Sequence, residues 1–339
     1  MKHPRRSLLA VSLALLAGCG RYVDFTLPEP PGAPSEVVYR WEARPKPVLA
    51  HGPQGSWDGA DALNPSVVKM GSTYLNFYSG FDGRTWRTGL ATSPDGEVWT
   101  KQGQVLAPYG NGWEGNYIAA NGSAMGADGK LMYWYQAGRP PRIGLALSED
   151  GRAWRKQPQP VLALGPRGSW DERGVGDPYA TRTGGMYYMF YLGQDRARRQ
   201  RLGVARSADG IGWEKLRSNP ILELGEAQSF DENGLGEPAV WAAHGYYWML
   251  YTGRDRGERR RLGLARSRDG VQWARVSSAP VFSGGEAWNS QVVCDPSVMV
   301  EGDTVRLWFG GGDRARPDEN LNGQIGAASG RADSVNLSK

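Results

Sequence analysis

Residues 41–50 read WEARPKPVLA, and residues 154–163 read WRKQPQPVLA. Each copy continues into a Gly-Pro-x-Gly-Ser-Trp-Asp segment that ends at Asp58 and at Asp171. A match of this length within one chain is the mark of a repeat architecture, so its period has to be found before any local motif is read. The first copy stands alone near the N-terminus, with no unit in front of it. It reads as the tail of a repeat whose beginning lies elsewhere in the chain.

Working outward from that string gives five units. An aromatic residue followed by a polar one opens each: Trp57-Asp58, Trp113-Glu114, Trp170-Asp171, Phe230-Asp231 and Trp288-Asn289, at spacings of 56, 57, 60 and 58 residues. Seven residues on, or eight in the second unit, come Asn64-Pro65, Asn121-Gly122, Asp177-Pro178, Glu237-Pro238 and Asp295-Pro296. An aromatic strand follows (YLNFYSG, LMYWYQAG, YYMFYLG, YYWMLYTG, VRLWFGG), then a Gly-x-Ala strand. The first four units close with Ser-x-Asp-Gly-x-x-Trp, ending at Trp99, Trp154, Trp213 and Trp273. Four strands per unit predict an all-β, five-bladed β-propeller of four-stranded blades. The fifth unit lacks its last strand, and residues 39–49 are expected to supply it. The N-terminal strand would then close the ring and remove its open edge. The Asp-Gly-x-x-Trp turns resemble the Asp-box of sialidases but lack one residue of it, and are read as structural hairpins.

Composition agrees. The 339 residues include 48 Gly and 14 Trp, with 40% hydrophobic and 22% charged residues, which suits many short strands joined by turns. A net charge of +5 with scattered carboxylates gives no basis for nucleic-acid binding. Lys2, Arg5 and Arg6, an apolar stretch at 8–17 and Leu16-Ala17-Gly18-Cys19 form an export signal (1–18) that resembles the bacterial lipobox. The resemblance implies cleavage before Cys19 and a lipid on its sulfur, hence a lipoprotein held at the membrane of the bacterial cell envelope; the Pro-rich stretch 19–36 reads as a tether, the repeats place the propeller over 37–331, and a monomer is expected. Cys294 has no partner for a disulfide.

Strand polarity places residues 64, 121, 177, 237 and 295 around one mouth of the central channel, and all but Asn121 precede a proline, which is expected to hold them extended. Glu caps turns poorly, so Glu237 in this series points to function, with Asp177 beside it. Fifteen loop arginines lie above the ring, among them Arg139, Arg196, Arg254 and Arg314, and predict an electropositive mouth for a uronate-bearing, sulfated or phosphorylated glycan. Trp86 and Trp113 are candidate sugar platforms, with Asn64 and Asn121 as candidate substrate contacts. No His-based metal site is visible, and no cofactor is expected.

The architecture and the acid–Pro strand starts resemble the five-bladed propeller glycosidases, the clan of glycoside hydrolase families 43, 32 and 68, with family 43 nearest. That resemblance implies inverting hydrolysis of an oligo- or polysaccharide, with an Asp base, a second Asp that tunes the acid, and a Glu acid. Carried over, these fall on Asn64, Asp177 and Glu237. Asn64 cannot accept a proton from water, and Glu237 precedes Pro238 directly where the family places a small residue between. Three readings follow: a glycosidase whose base is Asp61, Asp58 or Asp295; a phosphorylase, as in the related family 130, that uses phosphate instead of a base; or an inactive glycan-binding propeller. Some relatives hold calcium in the channel, but no pattern in the sequence supports it here.

Overall fold

The computed structural model describes residues 21–127 and 129–334. The export signal and Cys19 lie outside the described residues. Within them the chain is all-β, apart from one 3-10 turn at Ala287–Asn289.

Five antiparallel meanders follow one another along the chain. In the first unit Asp61–Leu63 and Val67–Met70 pair with Thr73–Phe81, which pairs with Trp86–Ser93 and then Thr100–Leu106. The second runs through Ile118–Ala127, Lys130–Ala137, Arg142–Ser148 and Arg155–Lys156. The third uses Gly174–Thr183, Met186–Gln194, Gln200–Ser207 and Glu214–Leu216, and the fourth Gly234–Ala243, Tyr246–Arg254, Arg260–Ser267 and Ala274–Arg275. In the fifth, Val292–Glu301, Thr304–Gly312 and Gln324–Ser334 are joined by Val37–Ala43, antiparallel from Val37↔Ser334 to Ala43↔Ala328. The orphan string is therefore paired with the last strand of the chain. Regular pairing starts at Val37 and ends at Ala43, and Leu49 adds a single bridge to Ile325.

The aromatic strands explain why the units stack. Each is buried on both faces, and Trp134, Trp248 and Trp308 are among the largest fully buried side chains. Trp134 Nε1 donates to Gly210 O of the third unit, and Trp308 Nε1 donates to Gly96 O of the first. In the Asp-Gly-x-x-Trp turns, Asp95 Oδ1 accepts from the N–H of Glu97 and Val98, while Trp99 Nε1 donates to Gly96 O. The same set recurs at Asp150, Asp209 and Asp269. Gly96 has φ +74, and a Cβ there would lie 2.8 Å from Arg306 Nη2. These turns are packing devices.

Two further repeats hold the units in register. In the first four units the acid that follows the opening aromatic accepts from a Tyr hydroxyl of the second strand and a cation of the fourth. Tyr78 and Lys101 meet on Asp58, Tyr135 and Lys156 on Glu114, Tyr191 and Lys215 on Asp171, and Tyr251 and Arg275 on Asp231. The inner strands are linked by hydroxyls. Val67 N–H donates to Ser297 Oγ, Ala124 N–H to Ser66 Oγ and Ala180 N–H to Ser123 Oγ. The first of these joins the fifth unit to the first, which brings the two ends of the array together.

Residues 21–36 are in contact with the fold along their length. Arg21–Val23 pairs in parallel with Glu214–Leu216 at the outer edge of the third unit. Leu27 is 4% exposed and donates its N–H to Asp269 O. Pro28 O accepts from Tyr247 Oη, and Pro31 O accepts from Gly245 N–H. A proline offers a carbonyl while leaving no N–H of its own unpaired, which suits a strap laid over turns.

Candidate active site

Each inner strand begins three residues before position 64, 121, 177, 237 or 295, and in the second to fifth units it carries a bulge there. In the third unit the register steps from Gly176↔Leu192 to Tyr179↔Phe190, so two residues face one. Equivalent steps fall at Ala120/Ser123, Gly236/Ala239 and Cys294/Ser297, and the first unit breaks its strand at the same place. The expectation of extended backbone before the prolines is corrected here. Asn64, Asn121, Asp177, Glu237 and Asp295 all lie in the left-handed region, with φ of 47, 47, 46, 48 and 53. The bulge supplies the physical reason, since inserting one residue into a strand forces a local reversal that outweighs the proline's preference. Each such residue costs on the order of 1 kcal/mol or more, and five in register mark a site that needs its side chains turned toward the channel.

These five residues border a cavity of about 550 Å³, in the range of small-ligand sites. Asp177, Glu237 and Asp295 come from the third, fourth and fifth units, and Asn64 and Asn121 from the first and second. The second strands support them. Asn121 N–H donates to Ser79 Oγ at 2.9 Å, Asp177 N–H to Gln136 Oε1 at 3.2 Å, and Asp295 N–H to Thr252 Oγ1 at 3.2 Å and Glu237 Oε2 at 3.3 Å. At the equivalent place in the fifth unit stands Gly310, whose Cβ would lie 2.5 Å from Asp295 Oδ2. Its bare backbone lets Asp295 reach across and accept the N–H of Asn64 at 3.1 Å. These polar breaks in otherwise apolar strands were visible in the sequence, but without the bulges nothing marked them as supports.

Burial and the charge of Glu237 push the Asp177 carboxyl up to about 8, against donation from Asn121 and the field of Arg260. The same two causes hold Asp295 well above the carboxylate range. Cys294, buried beside it, donates its thiol to Asp295 Oδ2 at 3.1 Å and is itself raised, by burial first and then by Asp295. Burial would lower the guanidinium of Arg260, yet Cys294, Glu237, Asp295 and Asp318 together raise it. Arg260 thus faces the acids as a permanent cation, fixed on Arg316 O and Pro317 O. One oxygen each from Glu237 and Asp295 and Cys294 Sγ lie within 4.8 Å of one another, close enough to share a cation. With two carboxylates, a thiol and a guanidinium facing them, that trio is a poor match for calcium, which takes six to eight oxygens.

The other sequence candidates divide. Arg139, Arg254 and Trp86 border the cavity, with Arg139 stacked 3.7 Å over the Tyr117 ring and Trp86 stacked on Phe81. Arg196 and Arg314 stand outside it, where they pair with Glu172 and Asp313. Trp113 packs beside Tyr135 and does not border the cavity, so its expected role as a platform is corrected. Asp61 is corrected too. It is 0% exposed, and its oxygens accept the N–H groups of Asn320, Leu321 and Gly323, which ties the fifth unit to the first. Asp58 is spent on its Tyr–Lys clamp. Neither can activate a water in the channel. Arg198 and Arg260, two of the fifteen loop arginines, also border the cavity, and residues that the sequence did not single out complete the lining, chiefly Gln136, Gln200 and Asp318.

Inverting hydrolysis wants two carboxyl groups about 6.5–9.5 Å apart, with water between sugar and base. Asn64 and Asn121, the other two positions of the series, are amides and cannot serve as that base. Asp295, the neighbour of Glu237, is too close to leave that space.

Residues 66–224 match the model of the glycosyl hydrolases family 32 N-terminal domain. An uncharacterised protein of Mycobacterium tuberculosis is 28% identical over 231 residues, covering 62% of this chain and 75% of that protein. A 1,2-beta-oligomannan phosphorylase of a Thermoanaerobacter species is 29% identical over 132 residues, 36% of this chain and 43% of that enzyme. Among solved structures, a glycosyl hydrolase from Bacteroides ovatus superposes with a TM-score of 0.69 at 17% identity, covering 94% of this chain and all of that one. A mannoside-phosphorylase-family (GH130) structure, from work on glycoside hydrolases that target beta-1,2 mannosidic linkages in Candida mannan, gives 0.69 at 17%, covering 90% and 96%. The chain has the fold of the glycoside-hydrolase propellers.

Proposed function

We propose that this protein, a relative of the glycoside-hydrolase propellers, breaks a glycosidic bond at the mouth of the channel. In this reading the five meanders are the blades of a closed ring. The observation that carries it is the set of five left-handed bulges, which turn three contiguous carboxyl groups into one cavity. A leaving sugar oxygen needs a proton, and a carboxyl group that keeps its proton at neutral pH can give one. Asp177 is that group, with Glu237 and Asp295 beside it and Arg260 to stabilise the charge left behind. This reverses the roles that the family resemblance implies for Asp177 and Glu237. Asn64 can hold a sugar hydroxyl, whereas the Asn121 side chain is engaged by Ser79 Oγ and Asp177.

A second reading concerns the nucleophile. Asn64 and Asn121 offer water no base at their own positions, while Arg139, Arg198, Arg254 and Arg260 border the same cavity. Phosphate needs no base, and guanidinium groups bind it well. The partial match to a phosphorylase supports this. Product release from aryl glycosides and β-linked oligosaccharides, measured with and without phosphate, tests both readings. Cleavage in buffer alone favours water, and strict dependence on phosphate favours phosphorolysis. Binding without cleavage under either condition contradicts both. We further propose that the protein is held at the cell envelope through Cys19. Mass spectrometry of the membrane fraction, seeking a lipid-modified Cys19, tests that.

A further inference from the structure

The Pro-rich strap enters the fold at the end remote from the cavity. In the fourth unit the inner strand runs from Glu237, in the cavity wall, to its turn at Ala243, roughly 20 Å away at the usual rise of a strand. The other units repeat this polarity, and hydroxyl links hold neighbouring inner strands side by side. The turns that follow the first and third strands of each unit therefore share one face, opposite the cavity. The strap lies along that face. Leu27 N–H donates to Asp269 O, Gly245 N–H to Pro31 O and Ser35 N–H to His244 O, all within such turns. Bare backbone makes room for it, since a Cβ on Gly184 would lie 2.7 Å from Pro28 Cγ and one on Gly270 would lie 2.6 Å from Leu27 Cδ1.

The strap begins at the same face. Arg21 stands opposite Glu214, the first residue of the last strand in the third unit, directly after the turn that ends at Trp213. Cys19 is two positions earlier in sequence, and two residues of chain reach at most ~7 Å. A free chain the length of residues 21–36 would instead span roughly 22 Å and leave the fold able to turn in any direction. The surface there is apolar in places. Val38, Val98, Ile211 and Val300 are between 42% and 68% exposed. Val98 and Ile211 project from Asp-Gly-x-x-Trp turns, Val300 precedes the turn of the fifth unit, and Val38 pairs with Asp333 beyond that turn.

We propose that this turn face rests on the lipid bilayer that holds Cys19, so that the cavity opens toward the aqueous compartment. The inference rests on the Cys19 anchor proposed above. The short reach from Cys19 to Arg21 sets the orientation, and the four apolar side chains sit at the headgroup boundary. The cavity then stands roughly 20 Å or more above the headgroups, beyond sugars carried close to that bilayer. Its substrates are glycans that arrive from the aqueous side.

The full-length protein, reconstituted in vesicles of phosphatidylethanolamine and phosphatidylglycerol, tests this. A fluorophore is placed through Val98→Cys or Ile211→Cys on the turn face, or through Tyr109→Cys in the exposed loop that leads into the second inner strand at the cavity end. Cys294 is buried and stays unlabelled. Lipids that carry a nitroxide on the headgroup should quench the labels at 98 and 211 severalfold more than the label at 109. A flexible insert of about twenty Gly and Ser residues between Gly20 and Arg21 separates the two causes. Asymmetry lost with the insert assigns the orientation to the short reach, and asymmetry that survives it assigns the docking to the apolar side chains. Mass spectrometry of the same samples reads the lipid on Cys19. A sample without that lipid removes the anchor, and the proposal with it. Equal quenching at the three sites in a lipidated sample, or strongest quenching at 109, leaves the anchor standing and overturns the orientation.

Discussion

Replacing Asp177 with Asn removes a carboxyl group that the fold forces to keep its proton, and the effect on stability should depend on pH in one direction only. In the unfolded chain this group ionises near 3.8, and in the folded protein burial and Glu237 move it to about 8. Between those values the folded protein holds a proton that the unfolded chain has released. Wild-type stability must therefore fall as pH rises through that window, and is whole only below it. At 1.36 kcal/mol per pH unit, the full displacement corresponds to roughly 6 kcal/mol. Water entering through the mouth, and a proton shared with Glu237, reduce the expected value to about 2 kcal/mol. Urea unfolding of wild type and Asp177→Asn at pH 5 and pH 9 reads it. The variant should gain about 2 kcal/mol on the wild type between the two conditions, and any cleavage by the wild type should decline above pH 8. A stability difference that stays constant with pH would show that Asp177 is ionised in the fold, and would remove its role as proton source.

Three further outcomes follow from the packing. Lys215→Met leaves Asp171 charged and unpaired in an environment where the two side chains are 2% and 0% exposed; a loss of about 3 kcal/mol in urea unfolding is expected, and a loss under 1 kcal/mol would mean the clamp is not a support. Gly310→Ala pushes a methyl group into Asp295 Oδ2 and breaks its bond to Asn64 N–H; any glycoside cleavage should drop at least tenfold while the melting temperature shifts little, and unchanged turnover would contradict the positioning. Leu27→Ala empties a buried contact under the strap and should cost ~2 kcal/mol in the same unfolding assay. No loss would mean that the strap does not contribute to folding.

The repeat made the architecture legible, because a period near 58 residues can be read without knowing any contact. It also gave the pairing partner of the N-terminal string, since a unit short of one strand and a strand short of its unit are complementary. The ring positions were legible for the same reason. What the sequence did not carry was their backbone. A proline next in line argues for extended geometry at Asp177, and only the register step opposite Tyr191 reveals the left-handed bulge. Asp61 and Asp58 look like free acids in a string of letters, because the N–H groups and cations that consume them come from the far end of the chain or from another strand. Arg260 stands in a run of arginines from which the sequence singles out Arg254 instead. Burial separates Arg260, and an unmet Nε separates Arg254. The Pro-rich stretch over 21–36 has the composition of a linker, and its docking depends on carbonyl acceptors that composition does not show.

The central claim is that the carboxyl cluster in this cavity breaks glycosidic bonds. Its most direct measurement is product release by the protein, kept intact from residue 21 onward, on neutral and acidic oligosaccharides with and without phosphate, beside Asp177→Asn and Glu237→Gln. The account predicts cleavage by the wild type and a loss of a hundredfold or more in each variant, with glycan binding retained. Glycan binding without cleavage by the wild type, or cleavage that survives in both variants, would contradict it.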